Sequence, residues 1–563
     1  MRNIFFLILS CFCLLSVHAQ NETSKDHISL AGIWNFKLDP LNVSIPVKGS
    51  NFVSKFPEEI TLPGSTDQAG KGFKTQDMSS LRLTRMFEYS GAAWYEKENI
   101  FIPESWKDQQ LFLFLERVHW ESQVWINGKF VGKEESLSTP HLYDITSYVK
   151  FGDWNTVRIR VDNGNIHDIA YTHAISAETQ TNWNGIIGRM EIQAVSKVHI
   201  ADVQIYPLQK EKRLKIVAQI VNYSNLPVKG DIRINCHFLN DSQDLHLKEK
   251  NTTFNSSDSL IHLVHYYDLG DKLYTWDEFE PNLYEIDYEI KCCGKSDVRK
   301  IKFGIRDFGT KGTHFTINDI PTFIRGAVNS CEFPITGYPP MGYEEWKKVM
   351  KVYKDYGLNC IRFHSWCPPE SAFQVADELG LYLQVENSDW RFTVGEDEAT
   401  NAFYLDEAQR IIKEYGNHPS FAFFCEGNEL VGKGCVDFLK EMLTEWKKDS
   451  RHLYVAASGY PTVEGSDFFD FYGARPQRWQ EGLKGRFNSQ PLNTRYDYID
   501  YVKKFSIPMV THEIGQWCAY PDFNQISKYI GVLKPYNYEL FREDLRNKKM
   551  LDQAHDFHIA SGK

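Results

Sequence analysis

Alternation of apolar and polar residues divides the chain into two parts with different periods. Between residues 28 and 306, short alternating runs are separated by Gly, Asn, Asp and Pro, which predicts antiparallel strands joined by turns. The segment VWINGKFVG (residues 124–132) is the clearest hairpin, because two apolar runs flank an Asn-Gly turn. After residue 306, short apolar runs alternate with helical stretches, which is typical of an α/β unit. The pattern therefore predicts a multidomain protein that is β-rich first and α/β afterwards.

The α/β part contains short runs that we interpret as parallel strands, with helices such as residues 343–356 between them. The runs cover residues 322–327, 359–364, 382–386, 421–425, 453–457, 468–472 and 508–511, and one long helical tract at 529–559 follows them. An α/β barrel has eight strands, so these runs predict a (β/α)8-type barrel that lacks its last strand. Because an open edge leaves backbone groups unpaired, we expect either a fragment of a longer protein or completion by a partner chain.

These changes of pattern also give the predicted domain borders. We expect a first β-sandwich at residues 20–197, a second and immunoglobulin-like sandwich at 198–306, and the barrel at 307–563. Residues 1–19 differ from all of these, with Arg2, the apolar run FFLILSCFCLL and a small residue, Ala19, before the expected cleavage point. This pattern predicts a secretory signal, and hence a secreted or periplasmic protein without a membrane span.

Composition narrows the classes of partner and cofactor. The 563 residues carry a formal net charge of −11 without a basic cluster, so nucleic acid is a poor partner. The 11 cysteines are irregularly spaced and form no paired C-x-x-C motif, which indicates neither a disulfide framework nor a zinc site. We therefore predict no metal and no cofactor, and the oligomeric state stays open.

Two acidic residues follow predicted strands of the barrel at the point where each strand ends. Glu429 closes the segment FAFFCEGNE (residues 421–429), and Glu513 closes PMVTHE (residues 508–513). In an α/β barrel the carboxyl ends of the strands form the catalytic mouth, so these two side chains are expected to face each other across it. Hydrolysis of a glycoside with retention needs two carboxyl groups about 5 Å apart. The alternative is that both are ordinary surface acids.

The same segments resemble glycoside hydrolase family 2, the family of β-galactosidase, β-glucuronidase and β-mannosidase. NHPSFAFFCEGNE (residues 417–429) resembles its acid/base strand, and THEIG (residues 511–515) resembles its nucleophile strand. The segments LAGIWNFKLD, AAWYEKENIFIP, VWINGKFVG, HLYDITSYV and NTVRIRVDN are similar to its jelly-roll sugar-binding domain, in the family's order. The resemblance implies a jelly roll, an immunoglobulin-like sandwich and a catalytic barrel. We expect loops near Trp183 and Asn184 to be the ones that reach the barrel mouth.

By this resemblance, Glu429 is the acid/base, Glu513 the nucleophile and Asn428 the partner of the sugar 2-hydroxyl. The other residues to which the resemblance or their place at a strand end gives a substrate-binding role are Arg362, His364, Tyr472, Glu386 and Trp517. His364 lies one position earlier than the commonest family pattern, and Tyr472 matches a tyrosine that hydrogen-bonds the nucleophile. Glu386 has the alternative role of capping a helix, and Trp517 would be a stacking wall.

The function predicted from these features is a secreted, exo-acting retaining β-glycosidase that removes terminal sugars from oligosaccharides. A β-galactoside, a β-galacturonide or a similar unit is the expected substrate, and Arg475 or Arg478 would meet a uronic acid carboxylate. The Asn-x-Lys pattern of many β-glucuronidases is absent from the predicted barrel loops, which argues against glucuronide. The alternatives are a non-catalytic carbohydrate-binding protein, an inactive fragment with an unclosed barrel, and an adhesion module with a vestigial barrel.

Overall fold

The computed structural model describes residues 26–44, 56–75, 78–169, 171–240, 245, 247–472, 491, 499–514 and 520–559 of the chain. The first part consists of antiparallel strands, as the alternating pattern predicts. These strands are β1 (Asp26–Ser29), β2 (Gly32–Asp39), β3 (Glu58–Leu62), β4 (Gly64–Ser65), β5 (Phe73–Lys74), β6 (Thr84–Arg85), β7 (Phe87–Glu88), β8 (Ala92–Ile102), β9 (Gln109–His119), β10 (Glu121–Ile126), β11 (Lys129–Glu135), β12 (His141–Asp144), β13 (Asp153–Asp162) and β14 (Gly185–Ser196).

Two sheets of this first unit share one apolar core. Their strand orders are β1-β14-β9-β12, with β4 also pairing to β14, and β11-β10-β13-β8-β2-β3. Alternate residues of β9, such as Leu113 and Leu115, point into the core and meet Tyr95 and Ile159 from the other sheet. The predicted hairpin is β10–β11, and Asn127 and Gly128 at its turn both have positive φ, as a tight two-residue turn requires.

The second unit follows directly from β14 and is also entirely antiparallel in its described sheets. Its strands are β15 (Val198–Leu208), β16 (Arg213–Asn222), β17 (Val228–Phe238), β18 (Lys250–Ser256), β19 (Leu260–Asp268), β20 (Tyr284–Cys292) and β21 (Lys295–Phe303). They form a three-stranded sheet, β15-β16-β19, and a four-stranded sheet, β18-β17-β20-β21, over a core of its own.

The third unit combines a small antiparallel sheet with parallel strands and helices. Its elements are β22 (Phe308–Lys311), β23 (His314–Ile317), β24 (Ile320–Thr322), β25 (Gly326–Asn329), α1 (Tyr343–Asp355), β26 (Cys360–Phe363), α2 (Glu370–Leu379), β27 (Tyr382–Asp389), α3 (Glu398–Tyr415), β28 (Phe421–Gly427), α4 (Cys435–Trp446), β29 (Leu453–Val455), β30 (Ser458–Gly459), β31 (Phe469–Phe471), α5 (Ile499–Val502), β32 (Met509–Thr511), β33 (Leu533–Lys534), α6 (Tyr536–Asn547) and α7 (Ala554–Ile559). Helix α1 buries Trp346 and Met350 on one face, as its period predicts.

The parallel strands lie side by side in chain order. One sheet has the order β25-β26-β27-β28-β29, the other has the order β30-β31-β32, and a bridge between Asn428 and Ser458 connects them. Each predicted parallel strand after the first overlaps one of these strands. Because all of them run in one direction, their carboxyl ends meet on the same side of the sheets, and the candidate residues gather there.

Two segments differ from the prediction. Residues 322–327 are not one strand: β24 pairs antiparallel with β23 across a turn in which Asn318 and Asp319 both have positive φ, and β25 begins only afterwards. Residues 529–559 are not one helical tract, because strand β33 pairs with β6 of the first unit before α6 begins after Pro535. Proline lacks the backbone N–H of a helix interior, so it starts α6 rather than continuing an earlier helix. Within the described residues, no helix is both long and apolar enough to cross a membrane.

A buried histidine stabilises the end of the parallel sheet away from the strands' carboxyl ends. His418 lies just before β28, with Nδ1 2.6 Å from Asp377 and Nε2 3.2 Å from Glu370. Burial lowers its pKa, but the two carboxylates outweigh burial and raise the pKa to about 10. His418 is therefore charged in the folded protein at neutral pH.

His418→Gln is expected to lower the free energy of unfolding by about 3 kcal/mol at pH 6, because the buried carboxylate of Asp377 and the partly exposed carboxylate of Glu370 lose their counterion. The folded pKa lies above the unfolded value, so this stabilisation is complete below about pH 6.5 and is lost as the pH rises towards 10. Urea unfolding of both proteins between pH 6 and 10 measures the difference, which should narrow as the pH rises. His262→Gln, at an exposed position on β19, is the matched control, and a pH-independent difference would contradict the assigned charge.

Candidate active site

Glu429 and Glu513 each lie two residues beyond the end of a parallel strand, β28 and β32 respectively. One carboxylate oxygen of Glu429 and one of Glu513 lie within 4.8 Å of each other. Their side chains are 20% and 15% exposed, so both are open to a small molecule. The structure thus brings the two predicted acids together in one accessible site.

The backbone at both acids is in the left-handed region, with φ of 47° at Glu429 and 46° at Glu513. This conformation costs a non-glycine residue about 1 to 3 kcal/mol and has to be supported by surrounding contacts. At Glu429 the backbone N–H donates to the Ser458 carbonyl at 2.8 Å. Two residues before Glu429, the backbone of Gly427 packs closely against Asp389. A Cβ at position 427 would lie 2.0 Å from the Asp389 carbonyl oxygen, so only glycine fits there.

Arg362, at the end of β26, links the site residues. Its Nη1 donates to Glu513 Oε1 at 3.2 Å, and its Nη2 donates to Asn428 Oδ1 at 2.8 Å. Its Nε donates to Glu386 Oε1 at 2.6 Å. Burial lowers the pKa of Arg362, but the charges of Glu386, Asp470 and Glu513 outweigh burial and raise it. The guanidinium is thus a permanent positive charge beside Glu513.

The surroundings of Glu513 favour its ionised form. Burial raises its pKa, but the hydrogen bond from His364 and the charges of His512 and Arg362 hold the pKa well below its usual range. The contacting atoms are close: His364 Nε2 lies 3.3 Å from Glu513 Oε1, and His512 Nε2 lies 3.5 Å from the same oxygen. At neutral pH Glu513 is a carboxylate.

Glu386 is placed to hold Arg362 rather than to face a ligand. It is fully buried, and in addition to Arg362 it accepts a hydrogen bond from the Ser458 hydroxyl at 2.6 Å and one from the Ser365 N–H at 2.6 Å. Burial raises the pKa of Glu386, but the charges of Arg362 and His364 outweigh burial, so the pKa lies below its usual value. A ligand-binding or helix-capping role was expected for Glu386, and its contacts indicate that it holds the guanidinium of Arg362 in place instead.

His512 and Asp470 join the site and were missed by the sequence reasoning. His512 is fully buried, with Nε2 3.4 Å from Glu429 Oε1 and Nδ1 3.3 Å from Asp470 Oδ1. Burial lowers the pKa of His512, but Asp470 raises it, and His512 in turn helps lower the pKa of Asp470 to about 2. An aspartate between two phenylalanines of β31 is the signal that could have found this pair.

The group Glu429, His512 and Glu513 is the one set of three potential metal ligands found within the described residues. The guanidinium of Arg362 already contacts the Glu513 oxygen that His512 faces. A divalent cation would share that oxygen with a permanent positive charge, so this set suits proton transfer and carboxylate chemistry better than metal binding.

The first unit reaches the site through the loop that ends at Trp183 and Asn184. Asn184 is fully buried and accepts a hydrogen bond from the Tyr95 hydroxyl at 2.7 Å, and Trp183 packs on His119. The first unit's own core and polar network bury both residues, and an earlier part of the loop near them reaches the site. His173, earlier in the same loop, lies against His364 instead.

The other residues predicted from the sequence are Tyr472, Trp517, Arg475 and Arg478. Tyr472 follows β31, is partly exposed, and its ring lies 5.5 Å from that of Tyr460. Trp517 lies outside the described residues, as do Arg475 and Arg478. Their roles stay predictions from the sequence.

Comparison with protein families gives two matches that cover the first two units. Residues 28–189 match the family described as "Glycosyl hydrolases family 2, sugar binding domain", and residues 198–306 match "Glycosyl hydrolases family 2". Together they end where the third unit begins.

Curated relatives extend the similarity into the third unit. A β-galactosidase of Priestia megaterium is 26% identical over 378 residues, which is 63% of this chain and 35% of that protein. A putative β-glucuronidase of Formosa agariphila is 24% identical over 509 residues, which is 86% of this chain and 56% of that protein. The chain spans between about a third and just over half of the length of these relatives.

Solved structures share the fold. The β-glucuronidase of Bacteroides uniformis has a TM-score of 0.67 and 17% identity, covering 86% of this chain and 58% of that one. A family 2 glycosyl hydrolase of Bacteroides cellulosilyticus has a TM-score of 0.64 and 17% identity, covering 86% and 66%. The likeness supports a multidomain, β-rich fold for the chain.

Proposed function

Since this chain belongs to glycosyl hydrolases family 2, we propose that it is a retaining β-glycosidase in which Glu513 is the nucleophile and Glu429 the acid/base. One observation carries the proposal: two accessible carboxyl groups approach within 4.8 Å, and the surroundings of Glu513 hold it ionised. About 5 Å is the separation that suits formation of a glycosyl-enzyme, whereas inversion needs room for a water between the two groups.

The first half-reaction transfers the sugar to the protein. The Glu513 carboxylate attacks the anomeric carbon, the bond from that carbon to the leaving oxygen breaks, and Glu429 gives its proton to the leaving oxygen. Arg362 and His364 hold the attacking carboxylate in place through its Oε1. Asn428, fixed by Arg362, is positioned to meet the sugar 2-hydroxyl, a contact that strengthens in the transition state.

The second half-reaction releases the sugar. Glu429, now a carboxylate, takes a proton from water, the water oxygen bonds to the anomeric carbon, and the ester to Glu513 breaks. The β-configuration is restored because the carbon has been attacked twice. His512 lies beside both carboxyl groups, and Asp470 behind it keeps the imidazole oriented during this exchange of charge.

For the substrate we propose a terminal β-galactoside, β-galacturonide or similar unit at the end of an oligosaccharide, removed by exo-action. Relatives named β-galactosidase and putative β-glucuronidase support this range. The finer architecture that we propose is a jelly roll at residues 20–197, an immunoglobulin-like sandwich at 198–306 and a (β/α)8-type barrel from 307 on. We also propose secretion or a periplasmic location, on the leader pattern of residues 1–19.

Incubation of the purified chain with 4-nitrophenyl β-D-galactoside, β-D-galacturonide and β-D-glucuronide tests the activity. The first-formed anomer of the sugar, observed by NMR, is expected to be β. An α-anomer would contradict retention. Sugar binding without hydrolysis of any of the three would instead support a carbohydrate-binding protein.

Covalent labelling tests the nucleophile separately. A β-glucuronidase 2 of Bacteroides uniformis has been solved covalently bound to cyclophellitol-6-carboxylate aziridine. If this chain acts on glucuronides, the same reagent is expected to add one equivalent to the protein, and its galacto-configured epimer should do so if the chain acts on galacturonides; peptide mapping should place either adduct on Glu513. If the chain acts on galactosides, the galacto-configured aziridine without the carboxylate should label Glu513 instead.

Arg362→Lys is expected to lower kcat by about 100-fold, because one ammonium group cannot bond to Glu386, Asn428 and Glu513 together. Arg410→Lys, at an ion pair on the surface of α3, is the matched control and should retain activity. Steady-state kinetics on the best nitrophenyl substrate measure both, and circular dichroism checks the fold. Unchanged turnover of Arg362→Lys would show that the guanidinium is not needed to position the carboxylate.

A further inference from the structure

The loop that joins β13 to β14 carries His173 from the first unit into the site of the third unit. Two hydrogen bonds fix it there: the Thr172 hydroxyl donates to the Ser365 carbonyl at 3.1 Å, and the His173 N–H donates to the Ser365 hydroxyl at 2.9 Å. The His173 ring stacks on Trp390, with centroids 5.8 Å apart and planes inclined by 15°. The imidazole therefore has a defined position and orientation.

His173 and His364 contact each other through their Nδ1 atoms. The two Nδ1 atoms are 3.0 Å apart, so one of them has to donate and the other to accept. At its other end, His364 Nε2 faces Glu513 Oε1 at 3.3 Å. An ionised carboxylate only accepts, so the proton of His364 lies on Nε2.

The position of the proton on His364 determines the position of the proton on His173. A neutral His364 with its proton on Nε2 has a lone pair on Nδ1, and the partner nitrogen must then carry a proton. Burial lowers the pKa of both imidazoles, which is consistent with a neutral pair. The result is a chain of donors that runs from His173 Nδ1 to His364 and from His364 Nε2 to Glu513.

We propose that His173 of the first domain is a positioning residue, which donates from Nδ1 to His364 and thereby holds the His364 Nε2–H on Glu513. The effect of His173 on catalysis rests on the proposed function, whereas the positions of the protons on the two histidines do not. The first unit is then part of the active site and not only a support for the third unit. Ser365 Oγ, 3.1 Å from His364 Nδ1, is the competing donor.

Two variants separate the donor from the packing. His173→Phe keeps an aromatic ring against Trp390 but removes the donor, whereas His173→Asn loses the stacking but keeps an amide N–H near the position of Nδ1. His167→Phe is the matched control, since His167 belongs to the same loop but contacts Glu135 and Phe403.

Nitrogen-15 NMR of the full chain labelled at histidine reads the tautomer directly, with His364→Gln used for assignment. We expect His364 to be protonated at Nε2 in the wild type, the His167→Phe control and His173→Asn, and to show a mixture of tautomers in His173→Phe. A wild type protonated at Nδ1 would overturn the proposal. So would an unchanged His364 signal in His173→Phe, since Ser365 would then suffice.

Kinetics test the consequence on the 4-nitrophenyl glycoside that the wild type hydrolyses fastest. His173→Phe is expected to lower kcat about tenfold with KM within twofold, and His173→Asn to recover kcat to within threefold of wild type. Equal losses in both variants would indicate a packing role alone and overturn the proposal. If the wild type hydrolyses none of the three nitrophenyl substrates, the proposed function fails while the NMR result still decides the tautomer.

Discussion

Replacement of Glu513 by glutamine is expected to abolish hydrolysis of every glycoside that the protein accepts, with kcat lowered by at least about 10⁴-fold. Glutamine has nearly the same shape, so the contacts of Arg362 and His364 have a partner, but an amide does not form the glycosyl-enzyme. Because the nucleophile is needed whatever the leaving group, the loss should be the same for activated and unactivated substrates.

Steady-state assays with a nitrophenyl and a dinitrophenyl glycoside measure this loss, and mass spectrometry with the aziridine reagents should find no adduct on the variant. Glu445→Gln, at an ion-paired surface position on α4, serves as the matched control and should keep full activity. A Glu513→Gln protein with more than about one per cent of wild-type turnover would show that another group attacks the anomeric carbon.

Replacement of Glu429 by alanine is expected to give a different pattern. Loss of the general acid should lower turnover by about 10²- to 10⁴-fold for substrates with a poor leaving group. A dinitrophenyl glycoside, whose leaving group needs no proton, should still form the glycosyl-enzyme at nearly the wild-type rate. The intermediate should then accumulate, because no base activates the water.

Added azide tests the acid/base role of Glu429, because this anion attacks the glycosyl-enzyme without the help of a base. We expect azide to restore turnover of Glu429→Ala on the dinitrophenyl substrate and to yield the β-glycosyl azide, identified by NMR. The Glu513→Gln variant forms no intermediate and should not respond. Unrescued and equal losses in both variants would overturn the two assigned roles.

The local pattern of the sequence was sufficient for much of this site. Burial of FAFFC follows from its short apolar pattern, an acid comes soon after each of the two predicted strands, and parallel strands bring their carboxyl ends together in any such sheet. That logic predicted that Glu429 and Glu513 lie near each other, and in the folded chain they do, with Arg362 beside Glu513. It also predicted β26 to β29, β31 and β32 in order, but not the two-residue strand β30.

The same periodicity did not resolve short irregular connections. The turn at Asn318 and Asp319 needs two left-handed residues, and the sequence reasoning did not recognise it as a hairpin signal. Strand β33 is only two residues long, and its partner β6 lies in another unit. No periodic pattern along the chain therefore indicates this strand.

Contacts between distant parts of the chain were decided by the tertiary structure alone. His173 and His364 are 191 positions apart, and neither residue has a neighbour pattern that indicates the other. His512 gained its role from Asp470 across two parallel strands, and Glu386 became a buried anchor because Arg362, Ser365 and Ser458 converge on it. The sequence by itself determined which residues end the strands, since alternation and burial act over a few residues. Only the folded chain decided which of those side chains face a ligand and which hold the others, because that depends on the packing of whole units against each other.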